Sequence, residues 1–395
     1  MSIPETTTTS KLPLSSVLPP LICGTGTFNI QYNTDPYALP TTAIIQRALE
    51  LGVTAFDTSP YYGPSEELLG AALNTPHIHE HYPRKSFTII TKVGRIKSDE
   101  FDYSPEWVRY SIKRSLERLH TRYLDVVYCH DVEFVSPGEV LEAVKELRRL
   151  RDDDGSIKYV GISGFPVPVL CSLAEMILKE TGEPLDAVMS YANYTLQNST
   201  LASSGIERLK KAGVEVVPSA SVLGMGILRS AGFPKGSAGD WHPSPRALRD
   251  AIEKVARLVE LEEGEDGKPE RLEVVAIRWA LDNWTREAKA VGTSRGMRDG
   301  ERVGISVMGV SNIVELEETV KVWESVLDGL DCVAGREVPK EKHEQSLERK
   351  EKIDALARKI TEIFGEWKDY TWDSPDKGWV NKKKVSEIPD YGTTF

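Results

Sequence analysis

The sequence has no apolar run approaching the ~18 residues that a bilayer-spanning helix needs, so no membrane partner or span is expected. Its opening stretch, MSIPETTTTSKLPLSSVLPP, lacks the basic n-region and apolar h-region of a secretory signal, and 1–19 reads as an extended leader. Positive charge is in deficit: 49 Lys and Arg face 60 Asp and Glu, a formal net charge of −11. That argues against nucleic acid or an anionic membrane surface as the main partner. Cysteine is scarce. Cys23, Cys129, Cys171 and Cys332 show no CxxC spacing, and three of them sit inside apolar segments. Small buried thiols in a reducing cytosol are expected, hence a cytoplasmic protein. His77, His79 and His81 alternate in a Pro-flanked insertion with no accompanying strand-end ligand set. A solvated loop and no metal are expected there.

What the sequence does have is alternation. Short apolar, β-rich runs recur at 20–26, 53–59, 87–94, 123–130, 159–164, 186–193, 215–221 and 303–310, with helical patterns between them. The runs are apolar almost throughout rather than alternately, as parallel strands covered on both faces should be. Ser65-Glu66-Glu67 and Ser104-Pro105-Glu106 read as helix starts, and Leu141, Val144, Leu147 and Leu150 fall largely on one helical face. Eight such units over 20–327 predict an α/β protein, a (β/α)8 TIM barrel. A C-terminal extension, 328–395, follows: an amphipathic helix carrying Ile353, Leu356, Ile360 and Ile363, then a tail with Trp367, Trp372 and Trp379 that is expected to pack on the body. The Gly- and Pro-rich segment 232–245 follows the seventh run, on the side where barrel ligands bind.

Four residues stand at or just beyond the ends of consecutive runs. FDTSPYYG carries Asp57 and Tyr62, ITKVG carries Lys92, and VYCHD carries His130. In a barrel these strand ends converge on one rim. Moving hydride to or from a carbonyl carbon requires a proton to move at the oxygen, and a free phenol with pKa about 10 is reluctant to supply its anion near neutrality. An adjacent ammonium favours the phenolate, so Lys92 would lower the pKa of Tyr62, with Asp57 holding Lys92 charged. His130 can donate a hydrogen bond to the substrate oxygen. GTGTFN at 24–29 lacks the third glycine of a dinucleotide fingerprint and reads as a rim loop.

In order and context, Asp57, Tyr62, Lys92 and His130 resemble the catalytic tetrad of the aldo-keto reductases, over essentially the whole barrel. DTSPYYGPSEELLG, TKVGRI, RSLERLHTRYLDVVYCHDVEFV and VGISGFP look like that family's arabinose and galactose 1-dehydrogenase branch. The resemblance implies an oxidoreductase that oxidises an aldose such as D-arabinose at C1 to the aldonolactone, with a small-molecule sugar as substrate. It further implies that Ser163 and Gly164 (where the family has Asn), Ser190 (where it has Gln), Ser221 and Leu223 lie at the nicotinamide, with Ala220 replacing a stacking Tyr. Gly309, Ser311, Asn312, Glu315 and Glu318 would lie at the adenosine end. The family's cationic 2′-phosphate positions fall here on Val310 and Glu315, so NAD is favoured over NADP. Phe28, Tyr61, Val132, Glu133, Tyr191, Asn193 and Trp241 are substrate-side candidates by position. A general NADPH-dependent aldehyde or ketone reductase and a redox-sensing binding subunit remain as alternatives, and no particular oligomeric state is indicated.

Overall fold

Eight strands, β1 Leu21–Gly24, β2 Ala55–Asp57, β3 Thr88–Val93, β4 Leu124–His130, β5 Ile157–Gly164, β6 Ala187–Tyr191, β7 Ser219–Ala220 and β8 Ser306–Gly309, pair in chain order as a closed parallel barrel. The last joins the first, with Leu21 opposite Ser306 and Gly24 opposite Gly309. A computed structural model describes residues 11–232, 241–265 and 267–383. The start of the leader, most of the Gly- and Pro-rich segment and the end of the tail therefore lie outside the described residues. The architecture is a (β/α)8 barrel with helices on the outside and a C-terminal helix, Lys340–Phe364.

Strand alternation sorts the side chains into two cores. Outward positions such as Phe56, Ile89, Val93, Val127 and Cys129 join one large cluster with the surrounding helices. Inward positions such as Ile22, Ala55, Ile90, Val126, Tyr128 and Tyr159 fill the barrel. Pro105–Arg118 starts where Ser104 accepts the Trp107 N–H, and Pro137–Asp153 starts on a Ser136–Glu139 capping box; both supply apolar faces to the outer cluster. Ser65, by contrast, spends its hydroxyl on Thr25 and Thr58 rather than on a cap.

The leader departs from expectation. Residues Leu14–Val17 form a one-turn helix, and the backbone N–H groups of Leu14 and Ser15 both donate to the Glu215 carboxylate at 2.9 Å. Leu14 and Leu18 are fully buried in the interior cluster, so this turn stoppers the N-terminal end of the barrel. The insertion expected to be a loop contains a short helix, Pro76–His81, that buries Ile78 and leaves its histidines exposed.

The C-terminal helix lays Ile353, Leu356, Ile360 and Phe364 against the helices Arg246–Val259 and Leu272–Glu287. From there the tail crosses the opposite, C-terminal rim. Trp372 stacks on Phe165 (centroids 4.6 Å apart), and Trp379 sits edge-on to Phe101 and Phe134. Asn381 exchanges two 2.9 Å hydrogen bonds with the Phe101 backbone.

Because the stopper fills one end of the barrel far from the rim, Leu18→Ala is expected to cost about 2–5 kcal/mol of stability in urea denaturation while leaving any activity of the folded protein intact. A variant as stable as the parent would show that the turn adds nothing to the core.

Candidate active site

On β2, β3 and β4 the last inward position breaks from the apolar column beneath it. Asp57 stands above Ala55, Lys92 above Ile90, and His130 above Tyr128. The three polar side chains thus converge at the rim because the strands share one inward register. Lys92 is wholly buried, and its ammonium donates to Asp57 Oδ1 at 2.7 Å and to the Thr58 carbonyl at 2.9 Å. It also lies 4.8 Å from the centroid of the Tyr62 ring. An ammonium has three donors, so the third remains for Tyr62. Burial alone would lower the pKa of Lys92, but Asp57 and Tyr62 outweigh it and hold the ammonium.

The Tyr62 phenol differs from the simplest expectation. Burial raises its pKa, and Lys92 offsets that only in part, so the hydroxyl keeps its proton more firmly than free tyrosine. His130 is pushed well below the ordinary histidine range by burial, then by Lys92 and Arg95, and is neutral. Its ring meets Tyr62 edge-on at 5.6 Å. Nδ1 lies 3.0 Å from Ser59 Oγ, which already accepts the Tyr61 N–H. Ser59 can donate its own proton to Nδ1 while accepting from Tyr61, and in that arrangement Nε2 carries the imidazole N–H. Behind the strand, Gly94 (φ +98°) leaves the space that the Tyr103 ring fills, and the Tyr103 hydroxyl donates to the His130 carbonyl at 2.6 Å. Only glycine accepts both that φ and that contact.

These groups line a cavity of about 520 Å³. Of the residues expected at a cofactor, Ser163, Ser221, Leu223 and Gly309 line it. The others serve the framework. Ser190 accepts from Asn193, and Gly164 lies against Glu133, whose Oε2 would be 2.4 Å from a Cβ there. Beyond β8, Ser311 donates its N–H to Glu315, Asn312 caps the helix Ile313–Asp328, and Glu318 pairs with Arg271.

Of the substrate-side candidates, Tyr61, Tyr191 and Trp241 line the cavity. Phe28 does not: a turn with its N–H on the Thr25 carbonyl sends the ring into the outer core. Asn193 is buried bracing the backbone at Phe165 and Tyr191, and Val132 is buried in the outer core. Glu133 accepts from Phe165 N and Ser374 Oγ; burial, then the Asp131 charge, pushes its carboxyl up to about 8. The four cysteines are buried thiols, with Cys23 and Cys129 pushed up to about 12 by burial.

Several residues at the site carried no expectation. Ser59, Arg95 and Asp131 sit inside the very runs DTSPYY, TKVGR and YCHD, but neither periodicity nor spacing marks them. Trp372, Ser374 and Trp379 reach the cavity from the far end of the chain.

The profile of the aldo/keto reductase family matches residues 20–332. The chain is 40% identical over 309 residues to D-arabinose 1-dehydrogenase of Saccharomyces cerevisiae, covering 78% of this chain and 83% of that protein. It is 32% identical over 289 residues to L-galactose dehydrogenase of Arabidopsis thaliana, covering 72% and 83%. Among solved structures, a glycerol dehydrogenase from Gluconobacter oxydans superposes with a TM-score of 0.57 at 20% identity, covering 90% of this chain and 94% of that one, a likeness of fold. Among the described residues no helix is long and apolar enough to cross a membrane. With the profile spanning most of its length, the chain belongs to the aldo/keto reductase family of oxidoreductases.

Proposed function

We propose that the enzyme oxidises an aldose at C1 to the aldonolactone with NAD⁺ as hydride acceptor, D-arabinose being the first sugar to test. The observation that carries this reading is the Lys92 ammonium, fixed by Asp57 and Thr58 with its remaining donor left for Tyr62. That arrangement serves proton transfer at an oxygen. The sugar specificity of the two relatives, one named for D-arabinose and the other for L-galactose, points to a sugar hydroxyl as that oxygen.

The cavity fits a nicotinamide cofactor. Small residues, Gly26, Ser163, Ala220, Ser221, Gly226 and Gly309, are among those that line the cavity, and small side chains leave room for a flat ring and an extended phosphate linkage. Ser163, Ser221 and Leu223 would hold the nicotinamide side, and Gly309 the far end. A bound oxidised nicotinamide supplies the acceptor for the C1 hydride, and its positive charge adds to the pull of Lys92 on the Tyr62 proton. In the proposed step the C1 hydroxyl of a cyclic sugar gives its proton to the Tyr62 phenolate as its C–H electron pair departs, leaving the lactone carbonyl. The His130 Nε2–H donates to that oxygen and holds it in place. Neutral His130 orients without competing for the proton.

The far end favours NAD. The Glu315 carboxylate accepts Ser311 N at 2.8 Å, and Arg47 and Arg271 are already paired with Glu317 and Glu318. A 2′-phosphate there would meet carboxylates first.

Three outcomes test this reading. Tyr62→Phe should lower kcat by about 10²–10⁴-fold with NAD⁺ affinity, read by fluorescence titration, little changed; retained turnover would refute the mechanism. In the Asp57→Asn/Lys92→Met double variant, which leaves no unpaired buried charge, Tyr62 loses the cation that opposes burial. Its ionisation moves up, so the alkaline rise of the kcat/KM profile for sugar oxidation should shift to higher pH; an unmoved profile would remove Lys92 from the proton transfer. Initial rates should favour NAD⁺ over NADP⁺ by at least about tenfold, the effect of roughly 1.4 kcal/mol, and a preference for NADP⁺ would sink the cofactor assignment.

A further inference from the structure

Asp131 follows His130 and adopts φ +54°, a left-handed conformation that strains a non-glycine residue. It is 1% exposed, and its Oδ2 lies 3.8 Å from His130 Nε2. The same oxygen pairs with the Arg95 guanidinium. Arg95 in turn donates to the Tyr61 hydroxyl at 3.0 Å and lies flat over the Tyr61 ring, 3.8 Å from its centroid. The Phe101 and Phe134 rings stand 5.5 and 5.6 Å from it. Both charged residues line the cavity that holds the tetrad.

The pair is incomplete. Among the described residues, Asp131 Oδ1 and Arg95 Nε are buried with no hydrogen-bond partner. Each such atom is destabilising, and native structures leave few of them without a reason. A strained backbone and two open hydrogen-bonding valences, on paired residues that both line the reacting cavity, contribute nothing evident to the barrel. They are what a site awaiting a ligand looks like.

The ligand must supply a donor to Oδ1 and an acceptor to Nε within one small volume. It must also be neutral, because the pair already balances its own charge. A hydroxyl is donor and acceptor at once, and two neighbouring hydroxyls meet both demands. A phosphate or carboxylate would suit Arg95 but would face Asp131, together with Asp373 and Asp376, which the tail adds to the same cavity. A simple alkyl or aryl aldehyde offers no donor and would leave Oδ1 bare.

We infer that Arg95 and Asp131 form a hydroxyl subsite that binds the hydroxyl next to the reacting carbon and its neighbour, so that the enzyme takes unphosphorylated sugars with a free C2 hydroxyl. The inference rests on the proposed aldose oxidation, because His130 Nε2 marks the C1 oxygen and Asp131 lies directly beside it. It explains how the site discriminates sugars from plain aldehydes: a site built to bind a hydroxyl rejects an analogue lacking it far more strongly than an apolar pocket can reject an extra methylene.

The test compares D-arabinose with 2-deoxy-D-erythro-pentose, the same sugar without its C2 hydroxyl, using the full-length enzyme and NAD⁺. The wild type should lose at least about 100-fold in kcat/KM on the deoxy sugar, and D-arabinose 5-phosphate should be a comparably poor substrate. In Asp131→Ala the arabinose rate should fall by a far larger factor than the deoxy-sugar rate, so that discrimination collapses. Equal use of both sugars by the wild type would overturn the subsite, and that comparison requires no variant to fold. Equal losses on both sugars in Asp131→Ala would reduce Asp131 to a structural role and overturn it as well. Should the wild type oxidise neither sugar, the aldose reading fails by itself. The subsite is then judged by calorimetric binding of 1,5-anhydro-D-arabinitol, which keeps the ring hydroxyls but cannot be oxidised at C1. Binding weakened in Asp131→Ala supports the subsite, and absent or unchanged binding overturns it.

Discussion

The Lys92–Asp57 ion pair is the constraint around which the rim is organised. Both groups are buried, and a charge in that position without its partner would be destabilising by several kcal/mol. Each must therefore be held where the other can reach it, which fixes the ends of β2 and β3 relative to one another. Thr58 adds its carbonyl as a second acceptor for Lys92. Asp57 Oδ2 is left without a partner among the described residues, so the pair is held by one strong contact rather than by a saturated network. The Asp57 charge opposes the Lys92 field at Tyr62 but acts more weakly there, so the ammonium's field is the one that prevails on the phenol.

That field acts inside a closed environment. The same burial that makes Lys92 effective also raises the pKa of Tyr62, and in the protein alone burial is the stronger influence. The phenol thus waits protonated, and its ionisation depends on whatever further positive charge enters the cavity. An oxidised nicotinamide carries such a charge and its reduced form does not, so proton release at Tyr62 is tied electrostatically to the redox state of the cofactor in the proposed reaction. His130 stays outside this balance because burial, then Lys92 and Arg95, disfavour its protonation.

What could be read from the sequence, and what could not, divides by range. The barrel was legible because each βα unit states its own period, and the four rim residues were legible because each ends or closely follows its own run. The exact inward or outward facing of loop residues was not. Phe28 and Asn193 lie near strand ends, but a local turn and a local hydrogen-bond cluster send their side chains into the framework. Position near a rim does not decide direction when the backbone leaves the strand. The leader misled for a related reason: Leu14 and Leu18 bury only because Glu215, about 200 positions away, accepts the N–H groups of their turn. Arg95 and Asp131 were visible as letters beside the tetrad, yet their pairing depends on β3 and β4 being neighbours at that height.

The tail shows the same limit most clearly and completes the physical account of the site. Ser374 donates to Glu133 across 241 positions of chain, and Trp372 and Trp379 cap aromatic side chains that rise from the β3, β4 and β5 loops. An amphipathic helix can be recognised from its own spacing, but a wall made by two tryptophans needs the surface they lie on. By crossing the rim, the tail adds Trp372 and Trp379 to the wall of the cavity that holds the Lys92–Tyr62 and Arg95–Asp131 groups, and an apolar wall strengthens the charge interactions beside it. The barrel supplies the reacting groups, and the extension supplies the low-dielectric enclosure in which a buried ammonium can influence a phenol and a neutral ion pair can distinguish hydroxyls from phosphate.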